Sequence, residues 1–276
     1  MKTVVRAPSF PSALAVASCA VALVLAAGCQ TTSTTTNSAA PPVGRTGSDE
    51  PDQQRRAQAR LELASAYYSR NQLQTALEQL KIALAADPNS AAGWNLHGLV
   101  MAGLGENAQA DESFRRSLQL APRDADAMHN YGWHLCQQQR WAEAQAQFTQ
   151  AVTVPAYRGA ARTHMAAGVC QARAGDLQGA ERALLRASEM DPTSPVILVN
   201  LAEVLYRRGD FERARFQIRR VNARTDIANA QTLWLAARIE NGLGNRQGAA
   251  DIGAQLRSRF PDSREAGRFA RGEFDE

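Results

Sequence analysis

Residues able to do chemistry are few in this 276-residue chain: by type, four cysteines and four histidines stand out. The histidines are His97, His129, His134 and His164, and none joins a metal-ligand spacing such as His-Glu-x-x-His. No glycine-rich loop follows a strand pattern to cradle a phosphate, and no nucleophile elbow is present. Hydrolytic, phosphoryl-transfer and metal chemistry therefore have no seat here. The chain is read as a non-enzyme without metal or bound cofactor, and its histidines as packing residues. That leaves the thiols of Cys19, Cys29, Cys136 and Cys170. A thiol can be acylated, oxidised or simply buried, and the outcome depends on the compartment and on the elements that carry it.

The totals narrow the setting. Lys and Arg number 31 against 27 Asp and Glu, for a net charge of +4, with 45% apolar and 6% aromatic residues. No dense basic stripe interleaved with aromatics is present, so no nucleic-acid partner is expected. Four cysteines are too few for a disulfide scaffold. Alanine-rich, aromatic-poor and charge-balanced chains are usually helical. A multipass membrane protein and a wholly disordered chain are excluded.

Residues 1–28 have the layout of an export signal: Lys2 and Arg6, then a short apolar run from Pro11 to Leu25. Small residues lead into Val24-Leu25-Ala26-Ala27-Gly28-Cys29-Gln30. This run resembles the lipobox of bacterial lipoproteins, although Ala26 stands where leucine is usual and Leu25 lies one place earlier. The resemblance implies that Cys29 carries a diacylglycerol and an N-acyl chain, and several acyl chains anchor a protein stably. Gln30, in place of the Asp that retains such proteins at the inner membrane, implies the periplasmic face of the outer membrane. Residues 29–56, rich in Thr, Ser and Pro, are expected to form a disordered tether.

The elements that must position everything else come from a period of 34 beginning at residue 57. Counting back from Asp87-Pro88, Ala121-Pro122 and Asp191-Pro192 places repeats at 57–90, 91–124, 125–160, 161–194, 195–229 and 230–263. Position eight is Ala64, Gly98, Gly132, Gly168, Ala202 and Ala237; position twenty is Ala76, Ala110, Ala144, Ala180, Ala214 and Ala249. Two helices that cross closely need such small residues. Larger knobs fall at position twenty-four, as Leu80, Phe114, Phe148 and Leu184. Gly175-Asp176 and Gly209-Asp210 read as a left-handed helix end followed by a cap. The pattern resembles the tetratricopeptide repeat, and the resemblance implies an all-α, right-handed superhelical solenoid of six helical hairpins. The pattern predicts an irregular second helix and exit loop in the third repeat, where Pro155 comes early. Residues 264–276 are expected to cap the last apolar face.

Cys136 and Cys170 then fall on the first helices of adjacent repeats, and an exported chain would favour their oxidation. Against this, their positions, twelve and ten, differ by about 200° around a helix. The two extra residues of repeat three could rotate that relation, so the pairing stays open. Partner binding in such arrays uses the concave face, at positions two, five, nine, twelve and thirteen. The candidates there are Leu61, Tyr68, Asn95, Leu99, His129 and Trp133, then Met165, Arg173, Tyr206 and Trp234. Apolar side chains in a groove suggest an apolar peptide anchor. Packing between helices is the competing reading for each. The Lys/Asn/Arg clamp of chaperone-binding relatives is absent, since Leu61 and Ser65 occupy the places of its Lys and Asn.

Particular strings narrow the field: Asn130-Tyr131-Gly132-Trp133-His134-Leu135-Cys136-Gln137-Gln138, Gly168-Val169-Cys170, Leu201-Ala202-Glu203, Leu233-Trp234-Leu235, and Leu256-Arg257-Ser258-Arg259-Phe260-Pro261-Asp262-Ser263. Together they resemble the type IV pilus biogenesis/stability lipoproteins, the PilF/PilW pilotin family. The resemblance implies an outer-membrane lipoprotein that helps the pilus secretin subunit reach the outer membrane and form its ring. It would act as a monomer, held to the membrane by its lipid. A periplasmic repeat lipoprotein serving porin assembly or cell-wall synthesis is the alternative; an enzyme or enzyme activator is disfavoured for want of a catalytic cluster.

Overall fold

Arg, Ala, Leu, Glu and Gln supply strong helix propensity along most of the chain, and paired helices are what they build. The computed structural model describes residues 49–274. The export signal, Cys29 and most of the expected tether lie outside the described residues. Within them are thirteen α-helices: α1 Asp49–Ser69, α2 Leu73–Ala86, α3 Ala91–Leu104, α4 Asn107–Leu120, α5 Ala125–Gln137, α6 Trp141–Thr153, α7 Ala160–Arg173, α8 Leu177–Met190, α9 Pro195–Arg207, α10 Phe211–Asn222, α11 Ala230–Gly242, α12 Arg246–Arg259 and α13 Arg264–Arg271. The first twelve form six hairpins, with α13 as a short cap. α1 begins at Asp49, earlier than the expected start at residue 57.

The second, third and fourth hairpins close on a contact between positions eight and twenty-four. A Cβ on Gly98 would stand 2.8 Å from the Phe114 ring, one on Gly132 2.8 Å from Phe148, and one on Gly168 2.7 Å from Leu184. Glycine is therefore required at these three crossings. In the first and fifth repeats alanine stands at position eight, Ala64 and Ala202, with Leu80 and Ile218 at position twenty-four, all buried. The last repeat breaks the rule, because its position twenty-four is Gly253. Phe269 of α13 fills the vacancy, so closely that a Cβ on Gly253 would overlap its ring. The cap supplies the knob that the sixth repeat lacks.

The turn inside every hairpin passes through the left-handed region at position fifteen. Gly105, Gly175, Gly209 and Gly244 occupy it at φ between 72° and 89°, and Asn71 and Gln139 hold it at φ 58° and 61°. Glycine meets this conformation without steric cost, asparagine with little, and glutamine with more. Many helix starts are fixed by side-chain caps: Ser90 accepts from the amide of Gly93 (3.1 Å), Asp124 from Ala127 (3.0 Å) and Asp176 from Gly179 (2.8 Å). Asn229 and Thr232 form a reciprocal capping box at α11, where the fifth repeat lacks its proline.

Irregularity in the third repeat is confined to its exit. α6 is a regular helix, contrary to the sequence expectation, since Pro155 falls after its end at Thr153. The extra residues are taken up by the 154–159 loop, where Ala156 sits at φ 59°. The core changes hands near this point. One apolar cluster runs from Ala64 to Cys170, and the next from Ala172 to Ile239.

The candidate functional site: a concave face lined by first helices

Successive first helices touch one another, α1 with α3, α3 with α5, α5 with α7, α7 with α9 and α9 with α11. Among the described residues no second helix touches the next second helix. A stack in which only one layer of helices is in contact bends toward that layer, so the first helices line the inside of the curve.

In the first three repeats this face is apolar and part-exposed. Leu61, Tyr68, Leu99 and Trp133 are half-buried and rest on the core beneath. Burial pushes the Tyr68 phenol above its ordinary pKa, so it stays a neutral donor. Asn95 accepts a hydrogen bond from Asn130 Nδ2 (3.2 Å), and the Arg173 guanidinium lies 5.1 Å from the Trp133 ring centroid. Arg173 thus joins the third repeat to the fourth across the face, and Met165 packs partly buried against the second apolar cluster.

His129 is not presented in the groove. It is buried, with Nδ1 2.9 Å from the hydroxyl of Thr163 on α7, and the Tyr157 hydroxyl is 3.2 Å from that same hydroxyl. Burial lowers its pKa to about 4; Arg162 adds to the shift and Asp126 partly opposes it. Its role is to tie the third repeat to the fourth. The other histidines are likewise packed: His97 Nδ1 lies 2.8 Å from Ser113 Oγ, and His134 Nε2 lies 2.6 Å from Gln138. Burial lowers the pKa of His97, His134 and His164. Among the described residues no group of three His, Cys, Asp or Glu could hold a metal ion, and this all-α scaffold has no catalytic sheet.

Cys136 and Cys170 are joined in a disulfide, with Cα atoms 5.8 Å apart. The 200° offset between their positions does not oppose this bond. Neighbouring parallel helices meet through opposite faces, so facing residues must differ by about half a turn. His129 and Thr163 obey the same two-position offset.

In the last two repeats part of the face, at Tyr206, Trp234 and Arg238, is covered, while Val199 and Glu203 stay part-exposed. Trp234 is only 6% exposed, because Phe274 stacks on it at 5.4 Å between ring centroids. The Phe274 carbonyl accepts from Tyr206 Oη (3.3 Å) and Arg238 Nε (3.1 Å), and Phe269 meets the Phe274 ring edge-on at 5.7 Å. Arg238 in turn lies over the Tyr206 ring at 4.4 Å. Tyr206 and Trp234 are therefore groove residues by position but partners of the chain's own C-terminal segment in fact. Sequence reasoning missed Phe269 and Phe274; the signal for the first was the glycine at position twenty-four of the last repeat. Glu240 on α11 is 2% exposed and held by Arg219 (2.9 Å), Asn245 (2.7 Å) and Arg215 (3.7 Å).

The tetratricopeptide repeat signature matches residues 52–195 in four overlapping stretches and residues 171–237 in a fifth. The chain belongs to the tetratricopeptide repeat family. Within it, the chain is 27% identical over 211 residues to the type IV pilus assembly protein PilF of Pseudomonas aeruginosa, covering 76% of this chain and 83% of that one. The solved structure of PilW, a widely conserved type IV pilus biogenesis factor, superimposes with a TM-score of 0.71 at 30% identity. That match covers 76% of this chain and 96% of PilW. The solved structure of Pseudomonas aeruginosa PilF gives 0.69 at 25% identity, covering 80% and 99%. This tetratricopeptide array is thus a distant homologue of the PilF/PilW type IV pilus assembly factors.

Proposed function

We propose that this chain is an outer-membrane lipoprotein that captures the type IV pilus secretin subunit on its concave face and promotes its localisation and multimerisation. The observation that carries this reading is the likeness to PilW and PilF over almost their whole length, rather than over one or two repeats. Other tetratricopeptide arrays align over as much of their length, but at 17% identity and a TM-score of 0.57 for YrrB against 30% and 0.71 for PilW. The internal disulfide supports it, since such a bond persists in an oxidising compartment such as the periplasm.

The mechanism is one of shared address. Acylated Cys29 fixes the membrane, the groove fixes the partner, and a secretin subunit held by both is concentrated where its ring must form. The part-exposed apolar side chains of the first three repeats, Leu99 and Trp133 at their centre, are the anchor for the partner. The test is a Cys29→Ala chain expressed in place of the wild type, with membranes fractionated and blotted for secretin multimers. The array should stay folded, leave the outer-membrane fraction, and reduce the multimer band severalfold. An unchanged multimer band would contradict the anchor's role.

A further inference from the structure

The segment after α13 does something a solvating cap has no need to do. Gly272 ends the helix in the left-handed conformation at φ 71°, and the chain turns back onto the concave face. There it is recognised as a peptide would be. Its aromatic ring lies flat on Trp234, and its main-chain carbonyl takes two donors, one from Tyr206 and one from Arg238. All three receiving residues occupy groove positions of α9 and α11. The site is also underfilled: Trp234 Nε1 is buried without an acceptor. A buried donor left unpaired is costly, and a longer or better-placed segment could supply the missing carbonyl or carboxylate. Arg207 and Arg238 outnumber Glu203 on this stretch of groove, Arg238 lying 4.0 Å from Glu203 and Arg207 donating to the Ala172 carbonyl (3.1 Å). Glu273, which pairs with Arg271 (2.9 Å), and Asp275 and Glu276 flank Phe274 in sequence.

We propose that the concave face of the last two repeats is a second binding site, for a segment with one aromatic residue set among carboxylates, and that residues 272–274 occupy it until such a segment displaces them. The site would be separate from the apolar anchor in the first three repeats. The inference rests on the concave face being the partner-binding face, and it adds a specificity and a built-in competitor. A tethered competitor acts at an effective concentration of roughly millimolar, so it weakens a modest ligand without blocking a good one.

The experiment uses a fluorescein-labelled Gly-Glu-Phe-Asp-Glu peptide and its Phe→Ala counterpart, with the full-length chain, followed by anisotropy. Phe274→Ala should bind the aromatic peptide about tenfold more tightly than the wild type, and neither chain should bind the alanine peptide. Adding Arg238→Gln to Phe274→Ala should remove that gain. Should Phe274→Ala lose helical circular dichroism, Phe274→Leu, which keeps apolar bulk but not the stack, serves in its place. Equal affinity for wild type and variant, or no binding to a folded variant, would overturn the proposal. So would sedimentation of the wild type as a dimer with exchanged tails. A secretin pull-down is read independently, so loss of the peptide site and loss of secretin capture are distinguishable.

Discussion

In the first three repeats, groove positions five, nine and twelve carry Leu61, Tyr68, Leu99 and Trp133, each part-exposed over the core. In the last two repeats the same positions carry Tyr206, Trp234 and Arg238, and Phe274 lies across them. Repeat position determines where a side chain points; it does not determine what covers it. Cover comes from α13, which touches only α11 and α12 and therefore reaches only one end of the array. The halves differ in glue as well. Apolar knobs close hairpins in both halves, but the later repeats add buried carboxylates, Glu181 beside Arg213 (2.7 Å) and Glu240 beside Arg219 (2.9 Å).

The largest expected effect comes from cutting the bond between the halves. Cys136 and Cys170 are separated by 34 residues, and constraining a loop of that length is worth about 4 kcal/mol. Paired Cys136→Ala and Cys170→Ala substitution should lower stability by that amount in urea unfolding. Splitting of the transition into two steps would show the halves unfolding separately, as nearest-neighbour coupling allows.

Protonation should loosen the same junction. His129 holds its neutral form down to a pKa of about 4, whereas in the unfolded chain its pKa is about 6.5. The unfolded state therefore binds more protons between these values, and stability should rise with pH across that window. Its contribution is complete above about pH 6.5 and lost as pH falls to 4, a change of about 3 kcal/mol. His129→Gln should flatten this part of the profile, as followed by thermal melts at each pH.

Phe269→Ala tests whether the cap alone makes the second half different. Removing the knob over Gly253 should cost about 2–3 kcal/mol and free Phe274 from Trp234. Tryptophan emission should shift to the red, and hydrogen exchange should quicken in α12 and α13 but not in α1 to α4. The smallest effect is a gain: Gln139→Gly at φ 61° should stabilise the third hairpin by up to about 1 kcal/mol.

The array itself was legible because close helix crossing forces a small residue at fixed positions, and twelve of them keep phase. The disulfide was harder to read. Spacing gives an angle on each helix, but only the rule that parallel neighbours meet through opposite faces turns that angle into a contact. That His129 and Trp234 are not open to solvent was hidden for a related reason. Both stand at position five, yet Thr163 covers one from the neighbouring first helix and Phe274 covers the other from beyond the repeats. Phe274 is aperiodic, so nothing in the 34-residue repeat foretells where it lands. Gly253 was the legible trace of the cap, a missing knob that something had to replace.

The central claim is that the open half, not the covered half, anchors the secretin. Immobilised wild-type chain, the Leu99→Gln/Trp133→Gln pair and the Tyr206→Ala/Arg238→Gln pair should each be offered detergent-extracted secretin subunits, with helical circular dichroism recorded alongside. The account predicts at least tenfold less secretin on the first pair and near wild-type capture on the second. Undiminished capture by a folded Leu99→Gln/Trp133→Gln chain would contradict it.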